Sequence, residues 1–161
     1  MMVGARGLIV VALVMGAVLW LDGLPGWGMF LLVWGIIGVL YSTILTPSGR
    51  LLRRSAHAED RPAVFAAQFA LSHACWLLTY PLAGWAGQAA GMGPALLLLA
   101  GLAVVGLVLA VRLWPADLHD APEHDHPDLP EGHPHLRAHG GRRHAHAFVI
   151  DDAHHAWPTQ G

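Results

Sequence analysis

Four long apolar segments fill the first two thirds of the chain, and they constrain its fold more than any other feature. They cover residues 3–21, 27–45, 62–85 and 94–114. A helix needs about 20 apolar residues to cross the ~30 Å hydrocarbon core of a bilayer, where the backbone must satisfy its own hydrogen bonds. The pattern therefore predicts an all-α membrane protein, with four transmembrane helices in a membrane region over residues 1–115.

The first apolar segment is interpreted as a span that stays on the protein. It has the positive start and apolar core of a signal peptide, but Trp20, Leu21 and Asp22 stand where small residues would mark a cleavage site. Arg6 would extend its long side chain to the membrane surface. Because this segment begins almost at Met1, the chain is also compatible with a truncated reading frame, in which the segment belongs to a longer permease.

The arginines predict how the spans are oriented. The loop between the second and third spans contains four of them, Arg50, Arg53, Arg54 and Arg61, whereas the other two loops contain none. Cytoplasmic loops are rich in positive charge, so this loop and both termini are expected in the cytoplasm, with the protein in the inner (plasma) membrane. The reducing cytoplasm suits a chain with a single cysteine, Cys75. The arginines cluster in one short loop rather than along a face, which argues against nucleic-acid binding.

The third span is the polar one. Side chains at helical spacing form one polar face and a neighbouring stripe: Gln68, Ser72, Cys75 and Thr79, beside His73 and Tyr80. Polar groups in hydrocarbon are costly unless paired, so this helix should face other helices or a water-filled cavity. One interpretation is a substrate pathway lined by five residues: Gln68, Ser72, His73, Thr79 and Tyr80. The alternative is that these groups only hold helices together.

Histidine dominates the end of the chain, and ten of the 12 histidines follow Trp114. Residues i and i+2 of an extended backbone point to the same side, so each His-x-His pair can offer two imidazoles to one ion. This predicts a metal site drawn from eight residues: His124, His126, His133, His135, His144, His146, His154 and His155. Imidazole suits Ni²⁺, Co²⁺, Zn²⁺ and Cu²⁺, and the pattern leaves the choice open. The alternative is that the histidines are incidental.

Proline is frequent in the same segment. Pro122, Pro127, Pro130 and Pro134 argue against a long helix and against a packed domain. We therefore expect a largely disordered, histidine-rich cytoplasmic tail over residues 116–161. Its apolar stretch at 147–150 is expected either to dock on the membrane region or to form a short strand.

Two segments resemble the C-terminal four spans of a major facilitator superfamily permease. The inner loop contains Pro47-Ser48-Gly49-Arg50, and the third span contains Ser72-His73-Ala74-Cys75-Trp76-Leu77-Leu78-Thr79-Tyr80-Pro81-Leu82-Ala83-Gly84. The latter is similar to the eleventh helix of such permeases, and residues 94–114 to the twelfth. The inner loop lacks the acidic residue of the superfamily's Gly-x-x-x-Asp-x-x-Gly-Arg signature. The histidine-rich tail is similar to those of permeases implicated in nickel or cobalt resistance.

The resemblance implies secondary transport of a small solute or a divalent metal cation. Four helices are fewer than one six-helix half of such a transporter, so the resemblance also implies further helices from the same permease or self-association within the lipid bilayer. The alternative is a small membrane protein that does not transport and serves as the metal-binding or metal-sensing subunit of a larger complex. Since no catalytic motif is found, we expect no enzyme activity and no required cofactor.

Overall fold

The computed structural model describes residues 1–113 and 121–157, which are mostly helical. Four long helices come first: α1 (Met2–Leu21), α2 (Trp27–Arg54), α3 (Arg61–Ala90) and α4 (Met92–Leu113). Two short strands and a short helix follow: β1 (Glu123–Asp125), α5 (Pro134–His139) and β2 (Arg143–Ala145). The four long helices are long and apolar enough to cross a membrane, as predicted. Trp114, the last residue of the predicted fourth span, and His119 lie outside the described residues.

The chain divides into two compact units. The first, called here the helical unit, consists of Met1–Gly49 with Ala67–Trp114. The second, called here the histidine unit, consists of Arg50–Ala66 with Pro115–Gly161.

The second helix extends further than its predicted span. It continues through Pro47 to Arg54, so Arg50, Arg53 and Arg54 lie on its last turns and not in a loop. At 1.5 Å per residue, the 28 residues of α2 measure about 42 Å, which exceeds the ~30 Å hydrocarbon core. The apolar part of α2 can therefore cross the core while its arginines remain in the headgroup layer.

Small residues let α1 and α4 pack with their backbones in contact. A Cβ built on Gly93 would lie 2.6 Å from the backbone nitrogen of Trp20, and one built on Gly16 would lie 2.8 Å from the Leu97 side chain. In a bilayer, where lipid offers no hydrophobic force between helices, close packing at small residues would join them. By contrast, Gly84 of α3 has no atom of another element within 4 Å of its Cβ position among the described residues.

The histidine-rich segment is folded, so the prediction of a largely disordered tail was wrong. β1 and β2 form an antiparallel pair in which His124 lies opposite His144. The prolines are compatible with this fold because Pro134 occupies the first turn of α5, where a missing N–H leaves no bond unmade. α5 ends at His139 and is capped by Gly140, whose φ of +80° is a conformation that favours glycine.

The apolar stretch at 147–150 forms no strand. Its Phe148 is 2% exposed, and the phenyl ring lies 4.7 to 5.1 Å from the rings of His154, Trp157 and His124. The Ile150 N–H donates to the carbonyl of Arg54 across 2.9 Å. This stretch therefore places the apolar ring of Phe148 against two of the histidines. Through Ile150 it also joins the two sequence segments of the histidine unit.

Candidate metal centre

The antiparallel pair of strands brings two histidine pairs to one point. On each strand the central histidine, His124 or His144, is buried and its two neighbours are exposed. Because side chains alternate along extended backbone, His126 and His146 lie on the same side as these two. The opposite side is polar, since Arg143 donates to Glu123 there across 3.0 Å.

Two further histidines reach the same point from other elements. His135 projects from α5, and its Nε2 lies 2.9 Å from Nε2 of His144 and 3.1 Å from Nε2 of His126. His154 follows a tight turn closed by backbone hydrogen bonds with Asp151, and its Nε2 lies 3.1 Å from Nε2 of His124. Residues far apart in sequence thus converge through the same ring nitrogen.

Nearby oxygen acceptors determine which ring nitrogen carries the proton in four of these histidines. Nδ1 lies 2.7 to 3.0 Å from an oxygen in four residues: His124, His144, His146 and His154. The acceptors, in that order, are the carbonyls of Pro122, Gly141 and Ala147 and the carboxylate of Asp151. Such oxygens only accept, so each Nδ1 carries a proton, and the neutral tautomer of each ring has its lone pair at Nε2.

Burial favours the neutral form of four of these rings. His126, for example, is 6% exposed. The pKa of His135 is lowered from 6.5 to about 4, first by burial and then by the charges of the neighbouring histidines. The pKa values of His124, His126 and His146 are lowered for the same two reasons. Since a histidine must be neutral to bind a metal, these rings have the protonation state that a metal requires near neutral pH.

Several lone pairs in this cluster lack a proton to accept. Nε2 of His146 is buried without a hydrogen-bond partner among the described residues, and buried polar atoms are rarely left so. The Nε2 atoms of His124 and His154 face each other although both rings carry their proton on Nδ1. A cation placed among these atoms would satisfy them.

Five side chains form the core of the cluster, since one ligand atom from each lies within 4.8 Å of those of the others: His124, His126, His135, His144 and His146. The cluster could therefore hold a metal ion. The aligned nitrogen donors suit a transition metal better than Mg²⁺ or Ca²⁺, which prefer oxygen ligands.

Two of the eight predicted ligands lie outside the cluster. Nδ1 of His133 accepts from the N–H of His135 and caps α5. His155 is exposed, and its ring lies 6.1 Å from that of His57. His139 was not among the predicted ligands, yet its ring stacks on those of His144 and His146 at 5.0 and 4.4 Å. Its spacing of four residues from His135 on a helix is the signal that could have found it.

An acidic cavity adjoins one side of the cluster. It has a volume of about 280 Å³ and reaches His124, His126 and His154. Asp125, Asp128 and Asp152 are among its lining residues. A cation in this cavity would lie beside the cluster, among side chains of opposite charge.

The predicted pathway residues on α3 line neither this acidic cavity nor the larger apolar cavity of the helical unit. Their hydroxyl groups bond to their own helix: Ser72 donates to Phe69 across 2.8 Å, and Thr79 donates to Cys75 across 3.0 Å. Nδ1 of His73 likewise lies 2.8 Å from the Phe69 carbonyl. Gln68 and Tyr80 are exposed.

The larger cavity belongs to the helical unit and is apolar. It measures about 1030 Å³ and lies among α1, α2 and α4, with lining residues that include Met15, Phe30, Trp34 and Leu99. It contains no ionisable side chain among its lining residues. Such a surface could accommodate an alkyl chain but offers no imidazole or carboxylate ligand to an ion.

No protein-family model matches the chain, and neither a curated protein nor a solved structure is similar enough to match it.

Proposed function

We propose that this protein is an integral membrane protein that binds a divalent transition-metal ion in its histidine unit and serves as a metal-binding or metal-sensing subunit. The observation that carries this function is the convergence of Nε2 lone pairs from two strands, one helix and one turn. An incidental run of histidines would have no reason to present the same nitrogen of each ring to one point.

The arginines at the connection between α2 and α3 indicate the compartment that the histidine unit faces. Arg53 and Arg54 lie at the end of α2, and Arg61 begins α3. The positive-inside rule places this connection in the cytoplasm of an inner-membrane protein, and four spans place both termini on the same side. The histidine unit would then face the cytoplasm. Protease should cleave the tail in inverted membrane vesicles but not in right-side-out vesicles, and the reverse pattern would contradict this orientation.

Calorimetric titration of the full chain, purified in detergent without a polyhistidine tag, tests metal binding. We expect one Ni²⁺ or Co²⁺ ion per chain. The double substitution His124→Ala with His144→Ala should abolish this binding because it removes the two histidines that lie opposite each other on β1 and β2. The matched control, His57→Ala with His155→Ala, removes two histidines outside the cluster and should bind as the unchanged protein does. Equal binding by the two variants would refute the function.

Transport is the second candidate, and one observation favours it. α3 is long and apolar enough to cross a membrane, yet its Gly84 and Gly87 face open space in the described part of the chain. A partner helix would fill that space, either from a longer permease of the major facilitator type or from a second copy. The exported substrate would be a small solute or the same metal cation.

A cell-based comparison tests transport. Cells carrying the triple substitution Gln68→Leu, Ser72→Ala and His73→Ala should lose metal or solute export if α3 lines the pathway. Cells with residues 119–155 deleted should become more metal-sensitive if the histidine unit serves export. Intact export in the triple variant would leave the non-transporting function as the better explanation.

A further inference from the structure

Six histidine rings surround one point in a specific arrangement. These are the five core rings and His154. The pairs that do not adjoin are His124 with His135, His126 with His146, and His144 with His154. Every other pair adjoins, with ring centroids 4.7 to 5.2 Å apart.

This pattern is that of an octahedron. Each corner of an octahedron adjoins every other corner except the one opposite to it. Here each ring has one ring that it does not adjoin, and the three such pairs share no member. A tetrahedral site with two spare histidines would give no reason for this regularity.

The nitrogen separations agree with the same geometry. Two ligands at right angles, each about 2.1 Å from a metal, lie about 3.0 Å apart, whereas tetrahedral ligands at that distance lie about 3.4 Å apart. The separations between Nε2 atoms are 2.9 Å for His135 with His144 and 3.1 Å for both His126 with His135 and His124 with His154. They match the edges of an octahedron.

We infer that the histidine unit is an octahedral site in which six imidazoles bind one divalent ion through Nε2, with His154 as the sixth ligand opposite His144. This inference rests on the proposed metal-binding function and adds the coordination number and the class of metal. Six neutral nitrogen ligands suit ions that accept six-coordination, such as Ni²⁺ and Co²⁺. Structural Zn²⁺ is almost always tetrahedral and would leave two of the buried imidazoles without a partner.

The two sides of this octahedron differ. The face formed by His124, His126 and His154 borders the acidic cavity. The opposite face, formed by His135, His144 and His146, is covered by the ring of His139, at centroid distances of 4.4 to 5.0 Å. An ion would therefore enter at the His154 face, and His139 would lie outside the ligand shell.

Cobalt reports the geometry directly. The tag-free full chain in detergent would be loaded with one equivalent of Co²⁺ and examined by visible and X-ray absorption. We expect the weak visible bands of six-coordinate cobalt and a first shell of six nitrogens at about 2.1 Å. The substitution His154→Ala should lower the nitrogen count by one and weaken Ni²⁺ binding by at least about tenfold, by comparison with ligand-supporting residues. His155→Ala, its exposed neighbour, should change neither.

The results separate failure of the octahedral geometry from failure of metal binding. Intense visible bands from bound Co²⁺, with a four-ligand shell, would overturn the octahedral site and leave metal binding intact. Identical Ni²⁺ affinities for His154→Ala and His155→Ala would likewise overturn the octahedral site and leave metal binding intact. Failure of the unchanged protein to retain any of the ions would overturn both the site and the proposed function. The X-ray absorption of the unchanged protein decides the geometry even if a variant does not fold.

Discussion

His154 donates its Nδ1–H to Oδ1 of Asp151 across 2.7 Å, so the carboxylate lies on the far side of the ring from Nε2. Burial raises the pKa of Asp151, but hydrogen bonds from His154 and from the N–H of Ala153 outweigh it and hold that pKa below its ordinary value. A carboxylate behind a metal-binding histidine fixes the ring tautomer and makes the ligand nitrogen more basic.

Removal of this carboxylate should weaken metal binding without removing a ligand. We expect Asp151→Ala to lower Ni²⁺ affinity by about 10- to 100-fold, the range for residues that support a metal ligand. Competition with a coloured chelator would measure the change. Glu131→Ala, which removes the same charge from an exposed position, is the control. Equal affinities for the two variants would mean that Asp151 does not orient His154.

Acid should destabilise the metal-free histidine unit. The pKa of His135 is about 4 in the folded protein and 6.5 when unperturbed, so the unfolded chain binds more protons between these values and stability falls as the pH drops from 6.5 to 4. Above 6.5 this contribution is fully present. Amide hydrogen exchange of residues 121–157, measured with chelator present, should show protection decreasing across that window.

Replacement of the titrating ring is the control for this pH effect. His135→Gln should flatten part of the pH dependence, and the lowered pKa values of His124, His126 and His146 should account for what remains. Protection that increased on acidification would show that the rings are not buried in the neutral form.

The acidic cavity should speed metal entry. The paired substitution Asp128→Asn with Asp152→Asn removes two negative charges beside the cluster and should slow Ni²⁺ association by roughly 10-fold at low salt, because a charged cleft concentrates counter-ions. The difference should shrink in high salt. Stopped-flow measurement gives the rate, with Glu131→Gln as the control. A change in dissociation rate alone would argue for a ligand role instead.

The contact between α1 and α4 should not tolerate a methyl group at Gly93. Its Cβ would lie 2.6 Å from the backbone of Trp20, so Gly93→Ala must push the helices apart at an expected cost of about 1–3 kcal/mol. Thermal loss of helical circular dichroism in detergent would report it. Gly101→Ala adds the same group to α4 where no neighbouring atom lies within 4 Å, and its melting temperature should stay close to that of the unchanged protein.

Hydropathy alone predicted the four long helices, because length and apolar content suffice for a span. It did not predict where α2 ends. The arginines looked like loop residues, yet α2 includes Arg50, Arg53 and Arg54 and passes through Pro47. A helix that emerges from lipid can continue into the headgroup layer, since charged side chains there reach water without ending the hydrogen-bonded backbone.

The tail was misjudged because its composition is typical of disorder. Proline, glycine and charge are frequent there, and few apolar residues are available for a core. Phe148 and Leu136 are nonetheless buried, and the imidazole rings of His124 and His154 pack against Phe148. Composition-based reasoning treats histidine as polar, whereas a cluster of neutral imidazoles behaves as a core in its own right.

The sequence by itself determined that the first 113 residues contain four helices long and apolar enough to cross a membrane. It also determined the two-residue spacing that puts His124 with His126, and His144 with His146, on one side of extended backbone. Only the tertiary structure decided that α5 and the turn at Asp151 deliver His135 and His154 to the same point, while His133 and His155 remain outside. Spacing fixes the direction of neighbouring side chains along one strand. The distance between elements depends on strand register, helix caps and buried contacts, which local sequence does not encode.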